Sequence, residues 1–167
     1  AVAAKFKREN GTEYDSAQVL TSIGGKHSCY LAVAALIDEG DEVIIPAPYW
    51  VSYPDMVILA GGTPVILATS NESGLKITAD QLKAAITPKT KMIILNSPSN
   101  PSGAVYSRDE LRALGDVLVG TDVFIVSDDI YEHLVYEGEF ANILNAKPEL
   151  YDQTILVNGV AKAYAMT

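Results

Sequence analysis

Short apolar runs alternate with segments of helical periodicity along most of this chain. The apolar runs are Val19-Leu20-Thr21-Ser22, Glu42-Val43-Ile44-Ile45, Pro64-Val65-Ile66-Leu67, Met92-Ile93-Ile94-Leu95, Val123-Phe124-Ile125-Val126 and Ile155-Leu156-Val157. Each has the length and β-branched content of a buried strand. Four helices are predicted between them. The first follows Gly25, carries Tyr30, Leu31, Ala34 and Leu36, and stops at Gly40. The second runs from Ser52 to Ala60 and is stopped by Gly61-Gly62. The third and fourth open at Thr78 and Ser107, each with Gln or Glu three residues on (Gln81, Glu110), the pattern of a capping box. Continuous apolar strands separated by helices predict a three-layer α/β/α domain around a mostly parallel sheet.

In such sheets ligands lie beyond the carboxyl ends of the strands, so the residues just after each run are the candidates for chemistry. After Val19–Ser22 comes Ile23-Gly24-Gly25-Lys26-His27-Ser28. Two glycines let backbone approach a ligand, and free N–H groups at a helix start attract phosphate. Neither the Walker spacing nor G-x-G-x-x-G is present, and a plain strand–helix turn reads equally well. After the second run, Pro46-Ala47-Pro48-Tyr49-Trp50 presents the single tryptophan, either as a stiffly held stacking surface or as a core aromatic. After the fourth, Asn96-Ser97-Pro98-Ser99-Asn100-Pro101-Ser102-Gly103 is a specified loop. In it Asn100 offers an amide, and Asn100–Pro101 is expected cis, as is Ala47–Pro48. After the fifth, Ser127-Asp128-Asp129-Ile130-Tyr131 sets a carboxylate at the end of an apolar run. That carboxylate is costly unless paired with a cation. The competing reading makes Asp128 or Asp129 the cap of a helix beginning at Ile130. Alternation along the strand directs Asp128 and Asp129 to opposite sides. After the sixth, Lys162 follows the strand among small and apolar residues. A desolvated lysine there is an amine nucleophile able to condense with a carbonyl; the alternative is a solvated surface charge.

Composition narrows the classes. The 167 residues are 49% hydrophobic, enough for one domain with a core. A net charge of −9 argues against a general nucleic-acid surface. No apolar run is long enough to span a membrane, and the N-terminus does not read as a signal peptide. One cysteine, Cys29, excludes an internal disulfide and fits a reducing compartment, here the cytoplasm. With two histidines besides, a structural zinc site is not expected.

Taken together, Asp41–Tyr53, Leu95–Ser107, Ser127–Tyr136 and Val157–Thr167 resemble the class I aminotransferases of the aspartate aminotransferase group, pyridoxal phosphate enzymes of fold type I, in their bacterial, cyanobacterial and plant-type branch. The resemblance implies a cofactor, pyridoxal 5′-phosphate, and transfer of amino groups between an amino acid, aspartate foremost, and a 2-oxo acid. It implies that Gly25 and Lys26 give N–H groups to the cofactor phosphate. Trp50 would stack on the ring and touch substrate, and Asn100 would bond the phenolic oxygen and the substrate carboxylate. Asp128 would pair with the ring nitrogen, Tyr131 would bond the phenolic oxygen, and Lys162 would carry the cofactor and move the proton. Asp129 and Ala161 stand where many members have Glu and Ser. The resemblance further implies that residues 1–167 are part of the large, cofactor-binding domain of a homodimer. The small domain, the phosphate-binding arginine and the arginine gripping the substrate carboxylate would then lie outside it, leaving these residues alone inactive. A pyridoxal phosphate lyase or synthase of the same fold, an effector-sensing domain of a regulator, and a non-catalytic fragment are the other readings.

Overall fold

The computed structural model describes all 167 residues and contains a five-stranded, wholly parallel sheet in the order β2-β1-β3-β4-β5. The strands are β1 (Glu42–Pro46), β2 (Thr63–Leu67), β3 (Thr90–Asn96), β4 (Phe124–Asp128) and β5 (Thr154–Val157). The helices are α1 (Val2–Lys5), α2 (Gly25–Leu36), α3 (Ser52–Leu59), α4 (Ala79–Ala85), α5 (Arg108–Leu118) and α6 (Ile143–Ala146). Both faces of the sheet are covered, as a parallel sheet requires. Alternate side chains sort by face. Val43, Ile45, Met92, Ile94 and Val126 join Cys29, Val33, Tyr53 and Val57 of α2 and α3 on one side. Ile44, Ile93, Leu95 and Ile125 join Leu82, Leu111, Leu114 and Leu118 of α4 and α5, with Ile143 of α6, on the other.

Both predicted capping boxes form. Thr78 Oγ1 accepts from Gln81 N–H (3.2 Å) while Gln81 Oε1 accepts from Thr78 N–H (2.9 Å). Ser107 and Glu110 do the same at 3.3 and 2.7 Å. One expectation and one competing reading are corrected. Val19–Ser22 is not a strand: Val19 is extended, but no neighbour supplies a ladder, and Leu20 and Ile23 are 70% and 89% exposed. A run of apolar residues becomes sheet only where a partner takes up its backbone groups. No helix begins at Ile130 either. Residues 130–133 make a turn closed by Glu132 N–H on Asp129 O (2.9 Å), followed by Leu134 N–H on Tyr131 O (2.8 Å). Ala47–Pro48 and Asn100–Pro101 are cis, and so is Ser97–Pro98.

The joint between α3 and β2 leaves no room at Gly62. A Cβ there would meet Ile37 Cγ2 at 2.5 Å, Val57 Cγ1 at 3.1 Å and the Asp41 carbonyl oxygen at 3.3 Å. Ile37 is buried and β-branched, so it yields little. Gly62→Ala is expected to cost about 1–3 kcal/mol in urea denaturation. A midpoint identical to the parent's would show that the joint relaxes freely.

Candidate active site

The carboxyl ends of β1, β3, β4 and β5 and the amino end of α2 carry the candidate residues. Asn96 and Asp128 are opposite one another as the last residues of β3 and β4, and Asp128 faces Val157 of β5. Asn96 ties two of the loops together. Its Nδ2 donates to the Asp128 carbonyl oxygen (2.8 Å), and its Oδ1 accepts the backbone N–H of Asn100 (2.8 Å). The Asn100 side chain thereby reaches the Tyr131 hydroxyl, with Nδ2 and Oη 3.5 Å apart. Two donors so close, both free to turn toward a third group, form a place for an acceptor oxygen.

Asp128 is 5% exposed and has no cation beside it. Its Oδ2 accepts from the Tyr53 hydroxyl (2.5 Å) and lies 3.7 Å from the Cys29 thiol, while Oδ1 takes the Ile130 N–H at 3.4 Å. Burial pushes the carboxyl above its ordinary range, and the hydrogen bonds from Tyr53, Ile130 and Cys29 pull it back. Burial, with the Asp128 charge added, pushes Tyr53 and Cys29 up as well. An anionic carboxylate so placed is completed by a cation.

Asp129 turns to the other side. Its Oδ1 accepts from Ser127 Oγ (2.7 Å), its Oδ2 from Asn142 Nδ2 (3.0 Å), and its N–H donates to the Val157 carbonyl (2.8 Å). Complete burial pushes its carboxyl up to about 8, against the opposing bonds from Ser127 and Asn142. A folded pKa above the unfolded value near 3.9 means that the native state holds the proton more tightly. Stability from this group is therefore whole below pH ~4 and declines as pH rises toward 8. Asp129→Asn mimics the protonated form, its amide donating to Ser127 Oγ. It is expected to come nearest the parent below pH ~4 and to unfold at higher urea than the parent at pH 9. Parallel pH profiles for parent and variant would refute this.

At the start of α2, Gly24 has φ +89°, a conformation that side chains avoid. A Cβ on Gly25 would stand 3.4 Å from Ile130 Cδ1. By helix geometry the N–H groups of Gly25 and Lys26 lack acceptors within the helix, and the hydroxyls of Ser22 and Ser28 pair beside them (2.6 Å). The Lys26 ammonium lies 4.9 Å from the centre of the Trp50 ring, and Trp50 meets Tyr53 edge-on at 5.4 Å.

Lys162 departs from the burial expected of it. It is exposed, in a turn over 161–164, with its carbonyl accepting from Ala165 N–H (3.3 Å). In that turn the Tyr164 hydroxyl is 3.4 Å from His133 Nε2. His133 also lies near Glu9 and Glu132, and these three set one ligand atom each within 4.8 Å of one another. The Lys5 ammonium pairs with both carboxylates there, so their charge is already answered. Sequence reasoning missed Tyr53, Cys29 and Asn96. Their partners lie 75, 99 and 32 residues away, beyond any local pattern.

These residues fit pyridoxal phosphate. Asp128 is a buried carboxylate wanting a cation, Asn100 and Tyr131 are donors wanting an oxygen, and α2 begins with N–H groups wanting an anion. The chain belongs to the class I and II aminotransferase family, whose model matches residues 1–167 and whose aspartate aminotransferase members use that cofactor. It is 57% identical over its whole length to an aspartate/prephenate aminotransferase of Cereibacter sphaeroides, covering 42% of that protein. It is 51% identical to an aspartate aminotransferase of Geobacillus stearothermophilus, with 99% of this chain and 42% of the relative aligned. The crystal structure of the Rhizobium meliloti aspartate aminotransferase superposes with TM-score 0.97 at 48% identity, covering 99% of this chain and 42% of that one. The chain thus spans about two-fifths of the length of these relatives. No helix is long and apolar enough to cross a membrane.

Proposed function

We propose that this chain forms part of the large, cofactor-binding domain of a pyridoxal phosphate-dependent aminotransferase. It moves the amino group between an amino acid, aspartate foremost, and a 2-oxo acid. The observation that carries the reading is the buried, cation-free Asp128 carboxylate at the end of β4 beside the paired donors Asn100 and Tyr131. When bound, the cofactor supplies a ring that accepts the electron pair left at the substrate α-carbon. Asp128 holds a proton on the ring nitrogen, so the ring keeps the positive charge that makes it an acceptor. Asn100 and Tyr131 orient the phenolic oxygen, and Asn100 also meets the substrate carboxylate. Trp50 gives the ring a stacking face, and the N–H groups of Gly25 and Lys26 take the phosphate. Lys162 would hold the cofactor, and its Nζ would take up the proton from the substrate α-carbon.

The relatives' names support the aspartate preference and extend the acceptors to prephenate. Family habit supports a cytoplasmic homodimer, and the exposed Val51 and Leu59 give it apolar surface to bury. The test is a chimera in which residues 1–167 replace the matching segment of the Geobacillus enzyme. Borohydride reduction in the presence of pyridoxal phosphate, followed by peptide mapping, is expected to place the label on Lys162. Label on Lys26 or Lys91 would sink the assignment.

A further inference from the structure

The geometry points to Tyr53 as a positioning residue that fixes the Asp128 carboxylate and the Trp50 ring against each other, with the Cys29 thiol as a second, weaker donor to the same carboxylate. This rests on the reading of Asp128 given above and assigns new residues to it. Tyr53 is 2% exposed, in the first turn of α3. Its hydroxyl donates to Asp128 Oδ2, and its ring meets the edge or face of Trp50 at 90°. One side chain therefore touches both the stacking surface and the charged group below it. Cys29, fully buried in α2, approaches the same oxygen.

The arrangement uses both oxygens unequally. Oδ2 is held by two side-chain donors, whereas Oδ1 has only the long contact from the Ile130 N–H. Oδ1 is the oxygen left for a cationic partner. The titratable groups around Asp128 are Cys29 from α2, Tyr53 from α3 and Asp129 next in the chain. None is a cation, so only neutral donors oppose the burial that raises the carboxyl. Charge-assisted hydrogen bonds of this kind are the strong ones. Removing the hydroxyl while keeping the ring isolates its effect from the packing on Trp50.

The first measurement follows the 13C carboxyl signal of Asp128 against pH in the 167-residue chain without cofactor. Tyr53→Phe is expected to move its midpoint up, and Cys29→Ala to move it up less. Site-specific 2,3-difluorotyrosine at position 53, a stronger donor, moves it down. The second measurement uses 15N-labelled pyridoxal phosphate in the chimera. There Tyr53→Phe makes the ring nitrogen lose its proton at lower pH, and kcat for aspartate falls roughly tenfold with KM little changed, the worth of one charged hydrogen bond. Midpoints that do not move, or that move the same way for phenylalanine and difluorotyrosine, would overturn the role of Tyr53. If Tyr53→Phe does not fold, the difluorotyrosine and Cys29→Ala arms decide by their opposite signs. A moved Asp128 midpoint with an unchanged ring nitrogen would leave the Tyr53 contact standing and defeat the placement of Asp128 at the ring.

Discussion

Asp128→Ala in the chimera is expected to lower kcat for aspartate by about 10²–10³-fold, the range seen when one preorganised electrostatic partner is removed from an active site. Asp129→Asn is expected to leave kcat within a few-fold of the parent. The two carboxylates are neighbours in sequence but belong to different surroundings. Asp128 lies on the side of α2 and α3 with Cys29 and Tyr53, while Asp129 is closed off by Ser127 and Asn142. No cation stands near Asp128 to take over its charge, so under the proposed placement its loss would leave a ring nitrogen unsupported in a buried setting. Asp129 has both oxygens satisfied by protein donors and none to spare for a ligand. Steady-state kinetics of the two variants, corrected for cofactor content, check this. Equal losses would mean that the alternation along β4 does not separate their roles.

Residues 1–167 alone, supplied with pyridoxal phosphate and aspartate, are expected to transaminate at least 10²-fold more slowly than the chimera. The reason lies in Lys162. Its turn is bordered by Val160, Tyr164 and Met166, which are 50%, 58% and 62% exposed. An exposed lysine proposed as the nucleophile is poorly positioned there, and misplacement by an ångström is costly in rate. A coupled assay of oxaloacetate formation measures it. Turnover by the 167-residue chain equal to the chimera's would show that Lys162 needs no further packing.

Five strands and the four longer helices were legible because each carries its own signal. Strands such as Met92–Leu95 are apolar on both faces, and Thr78 and Ser107 announce their helices through side chains three residues on. The segment Val19–Ser22 carries the same apolar signal and fails, because pairing is a property of two segments. At the site, the strand-end rule picked out Trp50, Asn100, Asp128 and Tyr131, and the structure gathers Asn100 against Tyr131 and Trp50 against Lys26. Burial of Lys162 was not legible, since it depends on what covers the turn. The donors to Asp128 were not legible either. Tyr53 reads as one more apolar position of α3, and Cys29 as one more of α2; what makes them polar partners is a fold that brings α2 and α3 over the end of β4.

Lys5 and Asn10 close on Glu132 across 127 and 122 residues, and Asn145 donates back to the Asn10 carbonyl. Glu132 begins four residues after β4 ends, one residue from Tyr131. Lys5 and Asn10 therefore lack their Glu132 partner until the segment after β4 has been made. At about 5–20 residues per second that interval is on the order of ten seconds. During it α1 is a four-residue helix too short to persist by itself. The segment of Lys5 and Asn10 is an early arrival with a late appointment, and the turn carrying Tyr131 is fastened from outside only when the two meet.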